Sequence, residues 1–151
     1  MKLILSVLVL AGALCAAPAV LYAEAGPDHK RVGGPKGGRL LENTEPRAEF
    51  YLEKDNTVTV SFYDNALKPV SVAEQSVIVI AELNGIKTKL EFEKKGDVLT
   101  SKGALPEGEG LNIVVQLKQT ASSKPMNFRF ALEKGVCCMC KRAEYACVCE
   151  H

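Results

Sequence analysis

Five of the six cysteines fall in the last fifteen residues, as Cys137, Cys138, Cys140, Cys147 and Cys149, and His151 closes the chain. The spacing is Cys-x-x-Cys, six residues, Cys-x-Cys, one residue, His. A Cys-x-x-Cys turn carries both sulfurs to the same side, so two thiolates can face one ion. A second pair then completes a tetrahedral site with metal–sulfur distances of about 2.3 Å. The expected ligands are Cys137, Cys140, Cys147 and Cys149, holding one ion per chain. His151 is a spare nitrogen ligand, and Cys138 is interchangeable with Cys137 at this level. Zn²⁺ suits four thiolates, while a close Cys-x-Cys pair also suits Cu⁺, which favours soft sulfur donors. Lys141 and Arg142 sit inside the loop, where they offset thiolate charge and lower thiol pKa values.

A second chemistry is open to the same residues. Thiols of an exported protein meet an oxidising compartment and pair as disulfides. Five is an odd number, so one thiol would stay free or pair between chains. A thiol redox role lacks its usual setting, in which Cys-x-x-Cys opens a helix after a strand. Whatever the chemistry, fifteen residues cannot enclose a core of their own, so a metal or disulfides must order them.

The rest of the chain offers no catalytic set. Outside the first 25 residues the only histidines are His29 and His151, so no Ser/His/Asp arrangement is available. His29 reads as a solvated lone residue. Gly33-Gly34-Pro35-Lys36-Gly37-Gly38 is rich in glycine and carries a lysine, but no strand precedes it and no Lys-Ser/Thr ending follows, so it is not a phosphate loop. Glu91 and Glu93 point outward from a strand. With 19 basic and 18 acidic residues the net charge is +1, which excludes a strong non-specific nucleic-acid binder. The expectation is a binding protein and not an enzyme.

The elements that must carry the cysteines read as follows. Residues 1–25 form a secretory signal peptide: Lys2, an apolar run from Leu3 to Leu10, then small residues ending in Ala23-Glu24-Ala25. This places the protein in the periplasm or at the cell surface, with no transmembrane segment after cleavage. Residues 26–38, with five glycines and two prolines, are expected to be a flexible linker. Residues 39–134 show the period-two alternation of strands. Ala48, Phe50 and Leu52 alternate with Glu49 and Tyr51; Val58, Val60 and Phe62 alternate with Thr59 and Ser61. Lys54-Asp55-Asn56 joins these runs as a hairpin. Val77 to Ala81 is apolar on both sides and is expected to be a central strand covered on both faces. Asn84-Gly85 is a tight turn. Further strands are marked by Leu90 and Phe92, by Val98 to Ser101, by Ile113, Val115 and Leu117, and by Phe128, Phe130 and Leu132. Seven to eight strands with no convincing helix imply an all-β, antiparallel, immunoglobulin-like β-sandwich, with a small closed barrel as the alternative. Residues 135–151 are the Cys-rich tail.

The stretch Gly34-Pro35-Lys36-Gly37-Gly38-Arg39-Leu40-Leu41 resembles a Gly-Pro-His-Gly-Gly-Arg-Leu-Leu segment of periplasmic adaptor proteins of bacterial heavy-metal efflux pumps, where a small accessory β domain follows it. The resemblance implies a free-standing relative of that β domain, with an envelope or efflux protein as partner. Lys36 stands where the adaptor segment has His. The Cys tail resembles a zinc knuckle.

Overall fold

A computed structural model describes residues 32–149. The expected signal peptide, the first part of the expected linker and His151 lie outside the described residues. Nine strands follow in order: β1 (Arg39–Leu41), β2 (Arg47–Leu52), β3 (Val58–Tyr63), β4 (Pro69–Val70), β5 (Ser76–Leu83), β6 (Ile86–Lys95), β7 (Val98–Ser101), β8 (Asn112–Lys118) and β9 (Met126–Ala131). The only helical element among the described residues is one 3₁₀ turn, Glu144–Ala146. Every strand pairing is antiparallel, and the hydrogen-bonded path is β1-β2-β3-β7-β6-β5-β8-β9, with β4 added to β3. The chain is thus all-β, as the alternation requires, and barrel-like.

One long strand makes the two layers continuous. β6 pairs with β5 from Ile86 to Glu91 and with β7 from Phe92 to Lys95. It belongs to both leaflets, so the sheet folds over on itself at β6. The turns are those the local chemistry sets. Asp55 accepts hydrogen bonds from the Thr57 amide at 3.0 Å and the Thr57 hydroxyl at 2.6 Å, closing the β2–β3 hairpin. Asn84 and Gly85 both take positive φ, 51° and 81°, which gives the hairpin of β5 and β6 the twist of its strands.

The core lies between the leaflets. Phe50, Val58, Val60 and Phe62 of β2 and β3 face Val77, Val79, Ala81, Ile113, Val115 and Leu117 of β5 and β8, all nearly or fully buried. Two expectations need correction. β5 is central, between β6 and β8, yet only Val77, Val79 and Ala81 are buried; Ile78 and Ile80 are half-exposed. Their register neighbours are Glu91 and Gln116, and Lys89 and Val114, so the outer face is flanked by side chains of the same sheet. The second correction concerns residues 33–38, expected to be a loose linker. Gly34 and Gly38 are buried, and the segment closes on itself through the amide of Gly37 donating to the Gly34 carbonyl at 3.0 Å. Its cause is a carboxylate, described below.

Across the open side of the path, β2 meets β9 through side chains. The rings of Phe50 and Phe130 stand edge to face at 5.2 Å. Phe50→Ala removes a fully buried ring at this seam and should lower the unfolding free energy by about 3–5 kcal/mol, read from the urea midpoint.

Candidate metal centre

After β9 the chain turns back on itself. The Glu144 amide donates to the Gly135 carbonyl at 2.7 Å and the Tyr145 amide to Glu133 at 3.0 Å. Val136 and Ala143 form a β-bridge, and the Cys137 amide donates to Arg142 at 2.8 Å. Residues 137–140 are therefore the tip of a small hairpin. Lys141, at φ 59°, turns the chain so that its amide reaches the Cys137 carbonyl at 3.0 Å. The 3₁₀ turn then brings Cys147 and Cys149 back beside that tip.

The four expected ligands come together. The sulfurs of Cys137, Cys140, Cys147 and Cys149 all lie within 4.8 Å of one another. Cys137 Sγ stands 3.8 Å from Cys149 Sγ, and Cys140 Sγ 3.7 Å from Cys147 Sγ. Four sulfurs held tetrahedrally about 2.3 Å from one ion stand about 3.8 Å apart. A disulfide requires about 2.05 Å, and no disulfide joins the five cysteines among the described residues. Cys137 is buried and the other three ligands are half-buried. Cys138 is exposed and outside the cluster, which removes the ambiguity between it and its neighbour.

Backbone amides aim at the sulfurs. The amides of Cys140 and Met139 donate to Cys137 and hold its thiol pKa below the ordinary value. Those of Val148 and Arg142 hold Cys140 at about 6. Cys147 accepts from the Cys149 amide at 3.4 Å, but burial and hydrogen bonds to Cys137 and Cys140 keep its pKa raised. Burial, with hydrogen bonds to Cys140, Cys147 and Cys137, pushes Cys149 up to about 12. The four thiols titrate as one unit that parts with its first protons readily and its last reluctantly. That unit is poised to receive a cation, which replaces the protons the sulfurs retain.

The cluster is anchored to the barrel by Tyr145. Its side chain is 5% exposed, its ring stacks on Phe130 at 6.5 Å and meets Phe50 edge to face at 5.9 Å. The Leu52 amide donates to its hydroxyl at 3.1 Å. Arg39 donates to the Tyr145 carbonyl at 3.2 Å while its guanidinium lies 4.8 Å over the Phe130 ring. Tyr145 and Ala146 thus belong to the barrel's own core.

A second tie runs through Arg142, whose guanidinium donates to the Gly34 carbonyl at 3.0 Å. Gly34 opens the glycine loop, and that loop wraps a fully buried carboxylate, Glu49 of β2. The Gly38 amide donates to Glu49 Oε1 at 2.7 Å and the Lys36 amide to Oε2 at 3.2 Å. Tyr63 also hydrogen-bonds Glu49; burial and that carboxylate push its pKa up to about 12. A Cβ at Gly34 would overlap the Glu49 carboxyl group. Strand alternation alone marks Glu49 as a wet position, and nothing in the local pattern singled it out. The signal was the run of glycines, which permits close backbone approach to an anion.

A cleft of about 430 Å³ lies between the β1–β2 connection and the tail, with Cys147 and Val148 in its wall. Among the described residues no helix is long and apolar enough to cross a membrane. No protein-family model, no curated protein and no solved structure matches the chain.

Two measurements test this geometry. Gly34→Ala should cost about 1–3 kcal/mol of stability through overpacking against Glu49, whereas Lys36→Ala, on the exposed side of the loop, should cost under about 1 kcal/mol. In metal-free protein, iodoacetamide should label Cys140 with a half-maximal rate near pH 6, because its thiolate dominates above its pKa of about 6. Peptide mass spectrometry after brief labelling at pH 5 to 8 reads this out, and a midpoint above pH 8 would refute it.

Proposed function

We propose that this chain is an exported, non-enzymatic metal-binding protein that holds one Zn²⁺ per chain at Cys137, Cys140, Cys147 and Cys149, with Cu⁺ as the alternative ion. The observation that carries the reading is the sulfur spacing of 3.7 and 3.8 Å, which matches the edge of a metal–thiolate tetrahedron. The lowered pKa values of Cys137 and Cys140 support it, since the ligand form is the thiolate. The apolar leader and Ala-x-Ala pattern support a periplasmic or surface location. The likeness of residues 34–41 to efflux adaptors supports an envelope partner concerned with metals. His151, two residues beyond Cys149, is a candidate fifth donor for exchange.

In this reading the barrel is scaffold and the ion is its clasp. The ion ties Cys137 and Cys140 to Cys147 and Cys149, on either side of Tyr145, and so reinforces the anchor that Tyr145 makes with Phe50 and Phe130. Metal content and thiol count on protein isolated without added metal should give about one zinc or copper per chain. Four of the five thiols should be released only on chelation or unfolding. Cys147→Ser should weaken metal binding by about 100-fold or more, and Cys138→Ser should leave the metal content unchanged. Chelation should lower the melting temperature of the barrel by on the order of 10 °C, because the tail that Tyr145 anchors loses its cross-link. A metal-free protein with at most one reactive thiol would overturn the reading in favour of an interaction module closed by disulfides.

A further inference from the structure

The cleft beside the tail is unused by anything described so far. Of the four ligands only Cys147 lines it, so an occupant of the cleft reaches the cluster from the Cys147 side. The charged residues in its lining are two of each sign: Arg39 and Arg47, Glu42 and Glu45. Arg39 is a fixed positive charge, held by Tyr145 and the Phe130 ring. A neutral lining of mixed sign does not select a multiply charged anion. It matches a ligand that carries one carboxylate and one ammonium group. The volume of about 430 Å³ falls within the range of small-molecule sites, about 300–1,000 Å³, and takes an amino acid or short peptide. The donor closest in kind to the thiolate it displaces from a soft or borderline ion is another thiol.

We infer that this cleft is the port through which the ion is exchanged, and that its ligand is a zwitterionic thiol, cysteine or a short cysteine-containing peptide. The inference rests on the metal-binding reading above and adds to it the labile ligand and the acceptor. The exchange is a ligand substitution. The incoming sulfur bonds the ion, the bond from the ion to Cys147 Sγ breaks, and the incoming thiol's proton passes to the released Cys147 sulfur. No electrons are transferred. Cys147 is suited to leave first, because it is the one ligand of the four in the wall of the cleft, where the incoming sulfur arrives.

The test is the rate at which zinc passes from the fully loaded full chain to a chromophoric chelator, with L-cysteine or 2-mercaptoethanol as mediator at equal thiolate concentration. The two mediators share the donor atom and differ in the zwitterion. The expected rate saturates with L-cysteine and exceeds the 2-mercaptoethanol rate by about tenfold. Arg47→Gln and Leu40→Trp, one removing a charge and one filling the cleft, should each abolish saturation and most of that advantage. Ile86→Trp, at the distant β5–β6 turn, should change nothing. A rate that is linear in L-cysteine and equal for the two thiols would overturn the port, as would saturation that survives Arg47→Gln. A chain that takes up no zinc at the loading step would instead overturn the metal reading on which the port rests.

Discussion

The placement of one tyrosine in an aromatic seam governs the rest of this structure. A segment of fifteen residues buries too little apolar surface to offset the entropy of ordering it. Here it does not need its own core. Tyr145 enters the space between β2 and β9, where Phe50 and Phe130 meet, and its hydroxyl accepts the amide of Leu52. The cysteines on either side of it, at 137 to 140 and at 147 to 149, are then carried to one point. Without that anchor the same spacing would describe many arrangements of four sulfurs.

The glycine loop and the cysteine cluster are parts of one construction. A buried carboxylate is costly unless it is hydrogen-bonded on both oxygens. Glu49 is satisfied by two loop amides and by Tyr63. The loop is held against it by its own turn and by Arg142, which comes from the cysteine hairpin. Lys36 completes the outer surface, 4.7 Å over Tyr51 and 3.1 Å from Glu53. Each end of the described chain therefore stabilises the other across β1 and β2.

Much of the fold was legible in the residues. The alternation at Ala48–Phe50 and Val58–Phe62, and the turns at Asp55-Asn56 and Asn84-Gly85, placed hairpins that the structure contains. What alternation cannot show is the change of partner within β6, because a strand's apolar pattern does not say which neighbour it pairs with. Nor can it show that the outer face of β5 is half-open, since Ile78 and Ile80 are apolar whether or not anything covers them. The four clustered cysteines were legible from spacing, and the exclusion of Cys138 was not, because adjacent residues differ only in the direction a hairpin gives them. The role of residues 33–38 was hidden for the same reason as that of Glu49: each makes sense only beside the other, and strand alternation carries no sign of a loop folding back onto the strand.

The shared strand and the late anchor together order events in time. β2–β3, β5–β6, β6–β7 and β8–β9 each join neighbours in the chain, so their loops are short and close early. The contacts that seat the tail span 93 residues, from Leu52 to Tyr145, and 106 residues, from Arg39 to Tyr145. Such contacts carry the largest loop-closure entropy and wait on residues made after all nine strands. The barrel thus has an interval in its history when its strands are paired and its aromatic seam is still bare. During that interval Phe50 and Phe130 face solvent, and the length of the interval is set by how soon the cysteine segment finds its fold.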